Sequence, residues 1–252
     1  MKLEENESGG NDRTMNFVGY LVKRPDGLYG ERGLYYDYVL ASNGVFIEAE
    51  GSLLAARVPV AHAQIRGLAP LKPMVVLRHG LIPQRHFDLA LSAMMVDTSR
   101  ERYVAVTWND GYHLYIPEQE GTGGGVEYQV GDNVVFDLHS HGRMAPFFST
   151  TDNKDEQGLK LYGVVGKLDK TPEVRLRVGV YGYHHPISWG DAFEGSLYGV
   201  EDALFAETER EEKEKEVSID DLCGLEPGVE SQLGHRISWL RWDRWFRRGR
   251  AL

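Results

Sequence analysis

Cysteine is almost absent from this sequence: Cys223 is the single one in 252 residues. One thiol excludes an intrachain disulfide and fits a reducing compartment. No run of about 18 apolar residues occurs, which argues against a membrane-spanning helix. The N-terminal stretch MKLEENESGGNDRT has no apolar signal core, which argues against secretion, so a cytoplasmic protein is expected. Positive charge is also short. Against 38 Asp and Glu stand 28 Lys and Arg, a net charge of −10. An acidic chain suits phosphate backbones poorly, so no nucleic acid is expected as a partner of the main domain. The glycine-rich patch at 121–125 lacks a following lysine and a strand-to-helix setting; it reads as a flexible loop rather than a phosphate cradle.

What is present points to a folded protein with abundant loops. The hydrophobic fraction is 42%, with 29 glycines, a composition suited to an α/β or α+β fold. Residues 1–14 read as a disordered leader. Over 15–78, apolar runs such as VGYLV, LYYDYVL and GVFIEA alternate with Gly, Pro, Asn and Asp. That is the pattern of a β-rich region, with a hairpin turn at Ser42-Asn43-Gly44. Pro83 suits the first turn of a helix over 84–97, where Phe87, Leu91, Met94 and Met95 recur at helical spacing. YVAVTW at 103–108, the turn Asn109-Asp110-Gly111 and YHLYI at 112–116 read as a hairpin. Further strands are expected at 126–130, 133–138, 161–168 and 174–181.

Composition shifts near 201. The run ETEREEKEKE at 207–216 reads as a charged linker or solvated helix. Trp239, Trp242, Trp245 and Phe246 then fall at helical spacing among six arginines and Asp243, giving that end a charge of +5. Such a basic aromatic helix either grips a partner or a membrane surface, or packs on the domain.

The run Asp137-Leu138-His139-Ser140-His141 carries the strongest functional signal. It follows the β-branched and aromatic stretch Asn133-Val134-Val135-Phe136 and precedes Ser149 and Asp152 at fixed distance. At a strand end, residues i and i+2 face one way, aiming both imidazoles at one point with about 6 to 7 Å of backbone between them. Asp152 would complete a three-ligand site. Two imidazoles, one carboxylate and an open fourth position form the donor set of a catalytic rather than a structural zinc. Ser149-x-x-Asp152 also fits an ordinary capping box for a helix starting near Thr150 and running through Gln157. In that reading Asp155 and Glu156 favour the helix N-terminus through its dipole. His184 and His185 are adjacent and lack a patterned carboxylate, so they read as loop or substrate-rim histidines. Asp137 reads as a partner behind the ligands.

The spacing His139-x-His141, seven residues, then Ser149-x-x-Asp152 resembles the JAMM motif of MPN/JAB-type zinc metallopeptidases. Its context, DLHSHGRMAPFFSTTDNKDEQGLKLYGVVGKL followed by VRLRVGVYGY, is similar to the JAB-like A proteins of PRTRC cassettes. The resemblance covers about 81–194. It implies an MPN/JAB-like mixed β-sheet flanked by helices over 79–200, with 15–78 as a β-rich extension and 201–252 as the charged linker and basic helix. One zinc ion per chain is implied, held by His139, His141 and Asp152. Ser149 is implied as the oxyanion donor. The family's general base comes from the strand after the first helix, where Glu101 stands; Glu48 and Glu50 look similar but precede the helix. Many JAMM sequences carry proline after the second histidine, and this one carries Gly142, which affects loop shape more than metal binding.

The resemblance further implies hydrolysis of peptide or isopeptide bonds. The substrate would be a protein, with ubiquitin-like conjugates or tails as candidates, and a ThiF-like adenylating protein of the same cassette as a partner. Two rivals stand beside it. One is a non-catalytic MPN-like scaffold that retains a structural metal. The other is an adaptor whose arginine-rich C-terminus binds DNA or a membrane.

Overall fold

The computed structural model describes residues 16–122, 125–128 and 133–204. The expected leader at 1–14 and the charged and Trp/Arg-rich stretch beyond 204 lie outside them. The described residues fall in one compact unit, within Met1–Ala206.

The architecture is mixed α+β and mostly sheet. β1 (Val18–Arg24), β2 (Gly27–Glu31), β3 (Tyr36–Ala41), β4 (Gly44–Glu50), β5 (Leu54–His62) and β6 (Met74–Leu77) form one sheet. Its order is β2-β1-β3-β4-β5-β6, antiparallel except for the parallel β1–β3 pair. The expected turn Ser42-Asn43 joins β3 to β4, with Ala41 opposite Gly44.

Helix α1 (Gln84–Met95) follows, with Pro83 as its N-cap. Phe87, Ala90 and Met94 are buried while Met95 is half exposed. At about 100° per residue, Met95 falls on the far side of the face centred between Ala90 and Phe87. Then come β7 (Tyr103–Trp108), β8 (Tyr112–Tyr115), β9 (Gln119–Thr122), β10 (Gly125–Tyr128), β11 (Val134–Ser140), α2 (Thr150–Asp155), β12 (Lys160–Gly166), β13 (Glu173–Val180), β14 (Tyr183–Pro186) and β15 (Glu201–Asp202). The second sheet runs β14-β13-β12-β11-β7-β8, with β15 on β13. Its β11–β12 and β13–β15 pairs are parallel and its other pairs antiparallel. β11 is therefore central, as its valine- and phenylalanine-rich sequence suits.

One hydrophobic core serves both sheets. Ile47, Leu54 and Val58 of the first cluster with Val104, Leu138 and Leu176 of the second, and with Phe87 and Met94 of α1. The faces that meet are the apolar halves of alternating strands.

Three expectations change. The glycine-rich patch is not all loop: β9 and β10 pair antiparallel, with Gly125 opposite Thr122, because backbone pairing needs no side chain. His184 and His185 lie on strand β14 rather than in a loop. Asp155 and Glu156 stand at the C-terminal end of α2, as its last residue and its C-cap, because this helix is only six residues long. They cannot serve its N-terminus.

Candidate metal centre

The hydrogen-bond register of β11 sets the site. Leu138 faces the shared core, so His139 faces the opposite side of the sheet. β11 ends at Ser140, and the His141 amide donates to the Val165 carbonyl at 2.8 Å, which carries the sheet pairing one residue further. The two imidazoles converge, with Nε2 atoms 3.3 Å apart. Two nitrogens bound at about 2.0–2.1 Å on a tetrahedral zinc sit roughly 3.3 Å apart, so this spacing fits a shared cation. The Phe147 ring meets His141 edge-on at 4.5 Å and fixes its plane.

Asp152 supplies the third donor. The capping reading of Ser149-x-x-Asp152 holds in geometry and leaves Asp152 able to serve a metal as well, because the carboxylate divides its oxygens. Oδ2 accepts the Ser149 amide at 2.5 Å, and Ser149 Oγ accepts the Asp152 amide at 3.1 Å, closing a capping box. Oδ1 is left 3.7 Å from His139 Nε2. Donor atoms of His139, His141 and Asp152 all lie within 4.8 Å of one another, so the three can hold a metal ion.

Electrostatics favour that use. Burial holds His139 and His141 below the ordinary imidazole value, outweighing the pull of Asp152. Both rings are thus kept neutral with lone pairs available, the form that binds metals. Burial pushes Asp152 up, but His139, cationic only in the acidic range where this carboxyl titrates, and the Ser149 groups outweigh it and hold the carboxyl below the ordinary aspartate value.

Glu101 stands just ahead of β7. Tyr103 pairs with His139 across β7 and β11. The pairing continues as the Ser140 amide donates to the Arg102 carbonyl at 2.9 Å and the Arg102 amide to Ser140 Oγ at 3.1 Å. These contacts hold the segment carrying Glu101 alongside the one carrying His141, just past the end of the ladder. Glu101 and His141 line one cleft of about 310 Å³. Burial raises the Glu101 carboxyl, and the Asp152 charge raises it further. Glu48 and Glu50 sit on β4 of the other sheet and are engaged there. Glu48 is buried and salt-bridged to Arg57 and Arg32; Glu50 pairs with Arg78 at 2.7 Å.

Arg177 was not legible in the sequence as a site residue. From β13 its guanidinium donates to Glu156 at 2.8 Å and to Asn153 Oδ1 at 2.6 Å, under the Phe148 ring at 3.7 Å. His184 Nε2 meets the Glu156 carbonyl at 3.1 Å. Together these tie both ends of the segment carrying Ser149 and Asp152 to the sheet. Burial pushes Glu156 up to about 7 against the pull of Arg177. Two arginines at alternate positions of β13, Arg175 and Arg177, were the available sign that this sheet face is polar. Asp137 accepts the Tyr103 hydroxyl and, at 3.2 Å, the Lys160 ammonium.

No family model matches the chain, and no curated protein matches it. Among the described residues, no helix is long and apolar enough to cross a membrane.

Proposed function

We propose that this protein is a zinc-dependent hydrolase of peptide or isopeptide bonds, of the JAMM type and with an MPN/JAB-like domain. The observation that carries the reading is the convergence of His139, His141 and Asp152 beside a cleft that Glu101 shares. A zinc ion held by these three would supply a Lewis acid and make hydroxide available near neutral pH. The residues of the chain do the rest. Glu101, raised above the ordinary glutamate value, takes the proton from the attacking water and delivers it to the leaving amine. Ser149 Oγ accepts from the Asp152 amide, so its own proton is free to donate to the developing oxyanion. The substrate class that suits the resemblance is a ubiquitin-like protein or its conjugate, with a ThiF-like adenylating protein as a partner. A cytoplasmic location belongs to the same reading.

The test pairs metal content with turnover. Asp152→Ala is expected to bind zinc far more weakly. Glu101→Gln is expected to retain zinc yet lose about 10²- to 10⁴-fold in hydrolysis of a ubiquitin-like fusion. Zinc bound by the wild type with no hydrolysis would favour the scaffold reading instead, and hydrolysis undiminished in Glu101→Gln would remove Glu101 as the base.

A further inference from the structure

The cleft beside His141 has a feature that the hydrolytic residues do not use. Its wall runs through Arg100, Glu101, His141, Gly142, Arg143 and Met144. Arg143 is exposed and makes no hydrogen bond or ion pair with another described residue. Arg100 is 66% exposed at its side chain, and among the described residues its one ion pair, to Asp97, is long at 3.9 Å. These cations come from different segments, one before β7 and one after β11, and the backbone brings them to a common wall. Gly142 makes that possible. Its φ is +54°, and a Cβ there would lie 2.5 Å from the Thr98 carbonyl oxygen. Only glycine lets the loop after His141 close so tightly on the turn that carries Arg100. The loop is fastened from its other side as well, by the Lys167 amide on the Met144 carbonyl at 2.7 Å and the Leu168 amide on the Gly142 carbonyl at 2.9 Å.

The cleft therefore carries two under-used guanidinium groups against one carboxylate, Glu101, on the wall it shares with His141. Guanidinium groups recognise carboxylates through paired, charge-assisted hydrogen bonds. Met144, half exposed, adds an apolar contact at the rim. Phe147, half exposed on the ring of His141, adds another just beyond.

We infer that this cleft binds a carboxylate of the substrate, gripped by Arg100 and Arg143, in the residue next to the bond that is cut. The inference rests on the hydrolase reading for what it says about the cut bond, but the grip itself is a property of the two arginines. The carboxylate comes from an acidic side chain or from a free C-terminus. The first would make the site select an acidic neighbour within a chain, the second would make it trim a terminal residue.

The test uses full-length protein stripped of metal by a chelator, so that no carboxylate is drawn by zinc. Four peptides are titrated by calorimetry: acetyl-Gly-Gly-Glu and acetyl-Gly-Gly-Gln, each with a free and with an amidated C-terminus. At least one carboxylate-bearing peptide is expected to bind about tenfold more tightly than the neutral Gln amide. Preference for the amidated Glu peptide assigns the side chain; preference for the free Gln peptide assigns the terminus. In Arg143→Gln and in Arg100→Gln, both at exposed side chains, the preference is expected to fall to about threefold or less. Equal or undetectable binding of all four peptides overturns the inference, as does a preference that survives both substitutions. Zinc-loaded protein that cleaves nothing while the stripped protein keeps its arginine-dependent preference would sink the hydrolase reading and leave the anion cleft standing.

Discussion

Asp152 shows how much one side chain can be asked to do. One oxygen closes a capping box on Ser149 and the other turns to His139, so the same contact that starts the helix orients the candidate ligand. The pattern Ser149-x-x-Asp152 was open to two explanations in the sequence because both use the same spacing, and the geometry accommodates both at once. Gly142 is the other decisive single position. Proline, common there in JAMM sequences, is fixed near −65° and cannot adopt the φ of +54° found here. Gly142→Ala adds a left-handed alanine, which costs about 1–2 kcal/mol, and a Cβ 2.5 Å from the Thr98 carbonyl oxygen. The expected result is a fall in Tm of roughly 2–8 °C, measured by calorimetry on metal-stripped protein. An unchanged Tm would mean that the loop does not need glycine.

At the scale of elements, α2 is the part that cannot stand alone. Six residues are far below the length at which a helix persists in water, and none of its residues is buried. Its cap and the Arg177 clamp hold it over the sheet. Arg177→Met keeps bulk but removes the guanidinium, leaving the partly buried Glu156 without its cation. Breaking one side of a buried pair costs about 3–5 kcal/mol, a ceiling here because burial already raises Glu156 to about 7. Loss of support behind a ligand typically weakens metal binding by about 10- to 100-fold. Zinc competition titrations should therefore show weaker binding in Arg177→Met, partly restored in Arg177→Lys, while His184→Gln changes it less. Unaltered zinc affinity in Arg177→Met would refute the clamp. The strands and α1 were legible because apolar periodicity is local. The clamp was not, because Arg177 and Asn153 are 24 positions apart and meet only through the order of β11, β12 and β13. Glu156 was misread for a related reason: its charge suggested a helix start, but the helix stops one residue before it.

For the molecule as a whole, the sequence marked 15–78 as β-rich but could not say what that region packs against. Alternating residues such as Ile47 and Val58 reveal that a strand has an apolar face, and nothing in the pattern names the surface it meets. The structure joins that face to the sheet bearing the candidate metal centre. Ile47, Leu54, Val58 and Leu77 cluster with Leu138, Val165 and Leu176, and β5 lies against β13 and β14. The face of β11 opposite His139 is thus backed by residues from the N-terminal sheet. Those four side chains contribute about 1.5–3 kcal/mol each by burial, comparable together to the whole stability of an ordinary domain, about 5–15 kcal/mol. A fragment spanning 79–204 is therefore expected to fail to fold: its amide spectrum should lack dispersion, and zinc should not rescue it. A fragment spanning 16–204 should give a dispersed spectrum and bind zinc as the full chain does. If 79–204 alone gave a dispersed spectrum and bound zinc, the N-terminal sheet would be an appendage and the shared core would not be what supports the site.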